Sequence, residues 1–538
     1  MSRAMHLPET ELSRREFLAG TSGALAGAAA FGLAGKAEAG KKHPTRGGEL
    51  RFGMRSDSIA LDPHRNVMYL TSHPLGATTQ GLLDLDLKCR PVPGIAYDWD
   101  VSKDLMTYTF KMIKGASFHN GREIDAAAVK WNYERIKDPK IGHFFTRSAL
   151  ENLKEVQVVD KYTVRCNLHH PDVTFPANVV YYPCNLMAPG SEDQADTHPI
   201  GCGPFKFKKW DRYEVTILKR YENYFETDAE GNNLPYLDTF VGRPKQDDRV
   251  RLTALRTGQV DLIDNMAYAD AADFPSKYAD QFQTWDVPTL GTSFLTFNLE
   301  KGPFSYSNPD GKKLRQAAAH AVDHEAIHNA VFYKRGDLAY GYFAKVSPWH
   351  APGKPWPEFD PEKSKSILQK AKAIGTPITL YSPKSWPYMQ QTGELVHAMW
   401  TAAGFKVNFE ILDGAVFRPK MRSGDFDALS MAGAYRFDPD GWFSRQIHSE
   451  GSTTKNTSRF RNEKVDSLIA EAKATVDINK RLEMYTEVES IINEELPILY
   501  IHHLTLLEAG VKNIMGYQPA VSGAYCTKGG GLRATWLA

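Results

Sequence analysis

Residues 359–431 constrain the fold more than any other stretch of this chain. Asp360-Pro361 places a helix cap before a proline at the first helical position. Ile367, Leu368 and Ala371 follow at helical spacing, and Gly375 supplies a stop. Ile378–Tyr381 is a short β-rich run, and 391–403 carries Leu395, Val396, Met399 and Ala403 on one helical stripe. Gly404 ends that helix, and Phe405, Val407, Phe409 and Ile411 then alternate with polar residues as a strand does. Strand, helix and strand in so short a span form a βαβ unit, which requires a parallel sheet with helices on its faces. Phe426–Met431 offers that sheet a further strand.

Other segments agree with an α/β fold. Residues 463–495 read as helical, with Val465, Leu468, Ile469 and Ala472 on one face. After a polar break at Asp477–Asn479, the pattern resumes at Leu482, Tyr485, Val488, Ile491 and Ile492. Pro497 stops it before a short apolar strand, Ile498–Ile501. Residues 205–221 alternate as a strand pair, and Asp228–Asn233 reads as a loop tip. Gly529-Gly530-Gly531 is expected to be loop, with no helix behind it.

The chain has 538 residues and a net charge of +1, with 24% charged and 42% hydrophobic residues. That composition excludes intrinsic disorder, and a balanced charge argues against a nucleic-acid binder. The length predicts two or three domains at about 100–200 residues each. The 27 Phe, 24 Tyr and 10 Trp suit large cores and clefts for organic ligands.

Ser13-Arg14-Arg15-Glu16-Phe17-Leu18 has the form of a twin-arginine export signal. A weakly apolar stretch, 18–33, follows, and then Ala37-Glu38-Ala39, which signal peptidase reads as A-x-A. Cleavage is expected after Ala39. The signal holds no Cys, so a soluble periplasmic product without a lipid anchor is expected. The five cysteines are Cys89, Cys166, Cys184, Cys202 and Cys526, and Cys184–Cys202 is the expected pair in an oxidising compartment. No C-x-x-C occurs, so neither a zinc ribbon nor a thioredoxin-type site is indicated.

His324-Glu325-Ala326-Ile327-His328 spells H-E-x-x-H, which on a helix suits a zinc peptidase with Glu325 as general base. A working site needs a third protein ligand. The residues after His328 do not supply the usual extension, and 334–357 reads as loop. His169-His170 and His502-His503 read as structural, because neighbouring side chains on a strand point to opposite faces. Hydrolase-elbow, P-loop and dinucleotide-binding motifs are absent.

A series of further motifs runs in order along the chain. It includes Gly47-Gly48-Glu49-Leu50, Leu61-Asp62-Pro63, Pro93-Gly94-Ile95-Ala96 and Thr107-Tyr108-Thr109-Phe110. Lys114–Gly121 (KGASFHNG), Pro199–Phe205 (PIGCGPF), Thr257–Asp261 (TGQVD) and Leu314-Arg315-Gln316-Ala317 follow. Phe359-Asp360-Pro361-Glu362 and Asn462–Asp466 (NEKVD) complete it. In this order they resemble the family 5 extracellular solute-binding proteins of ABC importers, which bind peptides, opines or nickel.

The resemblance implies a two-lobed periplasmic binding protein, type II and cluster C-like, with an extra domain inserted in the first lobe. Carried over, lobe I takes residues 40–72, 198–292 and 500–538, the inserted domain 73–197, and lobe II 293–499. It implies a monomer that is not an enzyme, without a cofactor or resident metal. It captures a peptide-like small-molecule solute in the inter-lobe cleft and delivers it to an ABC permease. An opine, a sugar-phosphate or another anionic conjugate is the alternative ligand. In peptide-binding members an acidic residue three positions before the family's Asp/Glu-Pro pairs with the ligand amine. Asp438-Pro439 fixes that register here, and the position holds Tyr435. Arg436 is then a candidate carboxylate or phosphate clamp, or else a partner that holds the loop. Tyr435, Phe437 and Asp438 join it as candidate ligand contacts. The loop after the first strand adds Arg55, Ser56 and Asp57, with Asp57 a candidate replacement for the missing amine partner.

Overall fold

A computed structural model describes residues 43–65, 72–88, 90–350, 357–433, 438–520 and 527–538. The export signal, Cys89, Cys526, Tyr435, Arg436 and Phe437 lie outside the described residues.

The βαβ unit is present. Asp360 caps helix Pro361–Lys370 by accepting from the Lys363 N–H at 2.8 Å. Strand Pro377–Pro383 runs parallel to Lys406–Leu412 and to Ala428–Gly433. Helix Pro387–Ala403 links the first two strands and ends at Gly404, whose φ of +113° favours glycine. It starts earlier than the apolar stripe indicated, because Pro387 sits in its first turn.

These strands belong to an eleven-stranded mixed sheet. Its other end is built on the parallel pair Glu49–Met54 and Thr239–Pro244, extended by the antiparallel hairpin Val215–Arg220 and Phe205–Asp211. Two long antiparallel strands, Phe282–Phe297 and Ile498–Val511, join the two ends. Their register slips between Pro288 and Thr292 and again between Ser293 and Phe294. Each end has its own core. One gathers Leu50, Phe52, Leu218 and Phe240. The other, larger, gathers Phe294, Leu314, Trp400, Tyr485 and Ile498.

A separate antiparallel sheet of four strands spans residues 96–168, with helix Ala126–Lys137 against it. Its core, including Trp99, Tyr108, Phe118 and Tyr133, draws on residues between Leu82 and Cys202. Two of the sequence motifs meet beside it. The His119 N–H donates to the Gly201 carbonyl (2.8 Å), and His119 Nε2 donates to the Gly203 carbonyl (2.9 Å). A Cβ on Gly201 would lie 2.0 Å from the Thr78 carbonyl oxygen, so only glycine fits there.

Three sequence expectations need correction. Cys184 and Cys202 are not bridged: both are thiols in this core, where they pack as small apolar groups. The Cys202 Sγ faces the carbonyls of Gln80 and Leu186, and burial pushes its pKa up to about 12. The final strand of the large sheet runs to Val511, ten residues beyond the short apolar run read from sequence. A short helix, Gly531–Ala534, begins at the last residue of the glycine triplet.

Candidate functional site

Ligands of α/β sheets bind beyond the carboxyl ends of parallel strands. In this chain those ends converge from both halves of the large sheet. Arg55 follows strand Glu49–Met54, Asp248 follows Thr239–Pro244, and Asn265–Ala269 follow Leu262–Ile263. From the other half come Trp386–Met389, beyond Pro377–Pro383, and Ala432 and Gly433, which close Ala428–Gly433. Together with Leu504, Thr505 and Leu507 on the joining strand, these residues line a cavity of about 250 Å³.

Arg55 reaches across this cavity. Its NH1 donates to Asp248 Oδ1 at 3.0 Å, within its own half. Its NH2 donates to the Ser385 carbonyl at 3.0 Å, in the other half. The guanidinium carbon lies 4.2 Å from the centre of the Trp386 ring, a cation–π contact. Burial draws the Arg55 pKa down from its ordinary value, and Asp248 acts against this. The Arg55 backbone N–H donates to Asp264 Oδ1 at 2.8 Å, which fixes the loop. Asp248 is shared, since Arg251 NH2 also donates to Oδ1, at 2.9 Å.

Aromatic rings form part of the wall and pack behind it. Tyr268 sits 6.3 Å from Tyr388 and 5.1 Å from Phe332, both edge-on and both from the opposite half. The Tyr268 hydroxyl exchanges hydrogen bonds of 3.1 Å with the Thr505 N–H and carbonyl. Sequence reasoning missed Asp248, Tyr268, Trp386 and Tyr388. The W-P-Y string at the end of a βα loop was the available signal.

The sequence candidates separate. Arg55 lines the cavity. Ser56 is half-buried, and its hydroxyl donates to the Asp57 carbonyl at 3.2 Å. Asp57 is buried, and its carboxylate accepts from Trp210 Nε1 (3.0 Å), the Tyr213 N–H (2.6 Å) and the Ser58 N–H (2.8 Å). These contacts pin hairpin 205–220 to the loop after the first strand. Asp438 is buried and accepts from Arg481 NH2 (2.8 Å) and the Asp440 N–H (2.9 Å), so both its contacts lie on the helical side of the chain that follows. Ala432 and Gly433, which precede 434–437, are in the cavity wall.

H-E-x-x-H lies on helix His324–Ala330 but does not assemble a metal centre. His324 is buried and donates from Nε2 to the Tyr500 carbonyl (2.9 Å). His328 Nδ1 lies 3.0 Å from His502 Nε2, and Glu325 is exposed. Among the described residues, no group of three or more His, Cys, Asp or Glu is placed to hold a metal. His502 and His503 are both buried on the long joining strand, with the Phe332 ring stacked 3.7 Å from His502.

Comparison with known proteins agrees with this fold. The chain is 27% identical over 467 residues to the dipeptide-binding protein of Escherichia coli (strain K12), covering 79% of this chain and 83% of that protein. It is 25% identical over 489 residues to the glutathione-binding protein GsiB of Escherichia coli O1:K1 / APEC, covering 87% and 91%. In structure it is similar to the binding protein AgaA in complex with agropinic acid from A. tumefacien R10, with a TM-score of 0.80 at 25% identity. That match covers 91% of this chain and 99% of AgaA. A dipeptide-binding protein from Pseudoalteromonas sp. SM9913, in complex with Met-Leu, shares the fold with a TM-score of 0.80 at 22% identity, covering 91% and 100%. The structural neighbours are two-lobed periplasmic binding proteins, and this chain has the same α/β architecture. The sequence profile of the bacterial extracellular solute-binding proteins, family 5 Middle, matches residues 90–455, and the chain belongs to that family.

Proposed function

We infer that this chain is the solute receptor of an ABC importer, and we propose that it captures a small peptide-like solute. The observation that carries this reading is a cavity walled by both halves of the molecule, with Arg55 touching each. A ligand bound there contacts both lobes and favours the closed arrangement over the open one. We assign residues 40–72, 198–292 and 500–538 to the first lobe, 73–197 to the inserted domain and 293–499 to the second lobe. The separate core around Trp99 and Phe118 supports the inserted domain. Arg55, Tyr435, Arg436 and Phe437 are the proposed ligand contacts, with Ser56, Asp57 and Asp438 as their support.

A second reading takes an opine-like or other anionic conjugate as ligand. The likeness to AgaA and the presence of Tyr435 at the amine-partner position favour it. Thermal shift of the purified chain distinguishes the two, since a ligand that binds only the folded state raises its stability. A shift with Met-Leu or glutathione supports the peptide reading, and a shift with agropinic acid alone supports the second. Stoichiometric zinc with peptide cleavage would contradict both.

The receptor is proposed to act in the periplasm as a monomer that delivers solute to a permease and breaks no bond in it. Export by the twin-arginine route predicts that Arg14→Lys with Arg15→Lys retains the precursor in the cytoplasm. The exported chain is expected to begin at Gly40.

A further inference from the structure

Among the described residues that line the cavity, Arg55 is the one cation and Asp248 the one carboxylate. They are differently placed to meet a ligand. Asp248 Oδ1 already accepts from two guanidinium groups, Arg55 at 3.0 Å and Arg251 at 2.9 Å. A ligand ammonium approaching it would meet two cations first. Arg55 instead gives its NH2 to a neutral acceptor, the Ser385 carbonyl, although a guanidinium carries five N–H donors. A carboxylate is a stronger acceptor than a neutral carbonyl and can be held by two donors at once. The guanidinium rests on Trp386, which belongs to the opposite half, so a group bound to Arg55 sits where the two halves meet.

Most of the remaining wall is apolar or aromatic, with Met266, Tyr268, Tyr388, Met389, Leu504 and Leu507, and Asn265, Gln391 and Thr505 are its neutral polar side chains. The volume of about 250 Å³ is small beside ligand pockets of roughly 300–1,000 Å³. A compact solute fits it, with one anionic end and one apolar body.

Building on the receptor reading above, we propose that Arg55 selects solutes bearing a carboxylate, and that its seat on Trp386 ties this recognition to lobe closure. A free amine is not required. The ligand class is a small amphiphilic carboxylic acid, its acid group on Arg55 and its apolar part among the rings.

The test uses calorimetry on the exported chain with three probes: Met-Leu, its N-acetyl form and its C-terminal amide. The acid and the N-acetyl acid are expected to bind within about threefold of each other, and the amide about tenfold or more weaker. Arg55→Met is expected to remove the preference for acid over amide, and Arg55→Lys to restore part of it. An amide that binds as tightly as the acid overturns the proposal, as does a preference that survives Arg55→Met. X-ray scattering of the ligand-free chain tests the closure link separately. Arg55→Met is expected to increase the radius of gyration, and an unchanged radius overturns that link. If none of the three probes binds, the peptide reading fails, while the scattering comparison still decides the role of Arg55.

Discussion

Arg55 and Trp386 meet across the cleft, with the guanidinium carbon 4.2 Å from the centre of the indole ring. Each follows a parallel strand in a different half of the sheet, so their contact exists only while those halves are together. Trp386→Ala removes the ring but leaves the Arg55–Asp248 pair. It is expected to weaken solute binding by about tenfold, equivalent to ~1.4 kcal/mol. Calorimetry measures this directly, and unchanged affinity counts against a cleft that Trp386 helps to form.

Arg481 and Asp438 pair just before helix Asp440–Gln446. Their ion pair of 2.8 Å is buried, and Arg481 also lies over Trp349 at 4.7 Å. Removing one member leaves the other charged in a dry setting. Asp438→Ala is expected to cost about 3–5 kcal/mol in urea unfolding. A loss under about 1 kcal/mol would mean that water reaches the pair.

Glu489 is half-buried and its carboxylate accepts the Tyr342 N–H at 2.7 Å; loss of water around the carboxyl pushes its pKa up to about 7. Between about 4.5 and 7 the folded state holds a proton that the unfolded chain releases, so this group costs stability as pH rises. Glu489→Gln keeps the acceptor and removes the titration. The variant is expected to match the wild type near pH 4 and to exceed it by up to roughly 3 kcal/mol above pH 7. Urea midpoints at the two pH values measure the difference.

Buried histidines act in the opposite direction. His64 receives a hydrogen bond at Nδ1 from Arg135 (2.7 Å) and donates from Nε2 to the Asn185 carbonyl (3.0 Å), an arrangement that requires the neutral ring. Burial lowers the pKa of His64, His119 and His503 to about 4. As pH falls from about 6.5 to 4, the unfolded chain takes up protons that the folded chain refuses, so stability is lost. Each group contributes a slope of about 1.4 kcal/mol per pH unit. His119→Gln, which can still donate to the Gly203 carbonyl, is expected to flatten the pH dependence of the urea midpoint by that amount.

The motif Pro199–Phe205 acts through close packing. Gly201→Ala would press a methyl group against the Thr78 carbonyl oxygen, 2.0 Å from the new carbon. Relief requires the backbone to move, and a loss of about 1–3 kcal/mol is expected in the same assay.

The elements easiest to read from sequence were those with local causes. Asp360 caps its helix, Gly404 ends the next one, and alternation marks Lys406–Leu412, all through neighbours in the chain. The joining strands were harder. Phe282–Phe297 carries Pro288, and Ile498–Val511 carries His502-His503, so neither shows a clean period. The latter strand is buried along nearly its whole length, which removes the alternation that marks a half-exposed strand. In the site, Arg55 was legible only through the family resemblance, which implies that the loop after the first strand faces the cleft. Trp386 and Asp248 meet Arg55 only through tertiary packing, and no local pattern reports that. Asp57 shows the converse, since an acid beside the site was spent on Trp210 and Tyr213.

Native mass spectrometry of the chain extracted from the periplasm, without refolding, tests the central claim most directly. The wild type is predicted to carry one small molecule per chain, with a carboxylate in its structure. The double variant Arg55→Met with Trp386→Ala, confirmed as folded, is predicted to lose it. The same molecule retained at equal occupancy by that variant would contradict the account and place the binding site elsewhere.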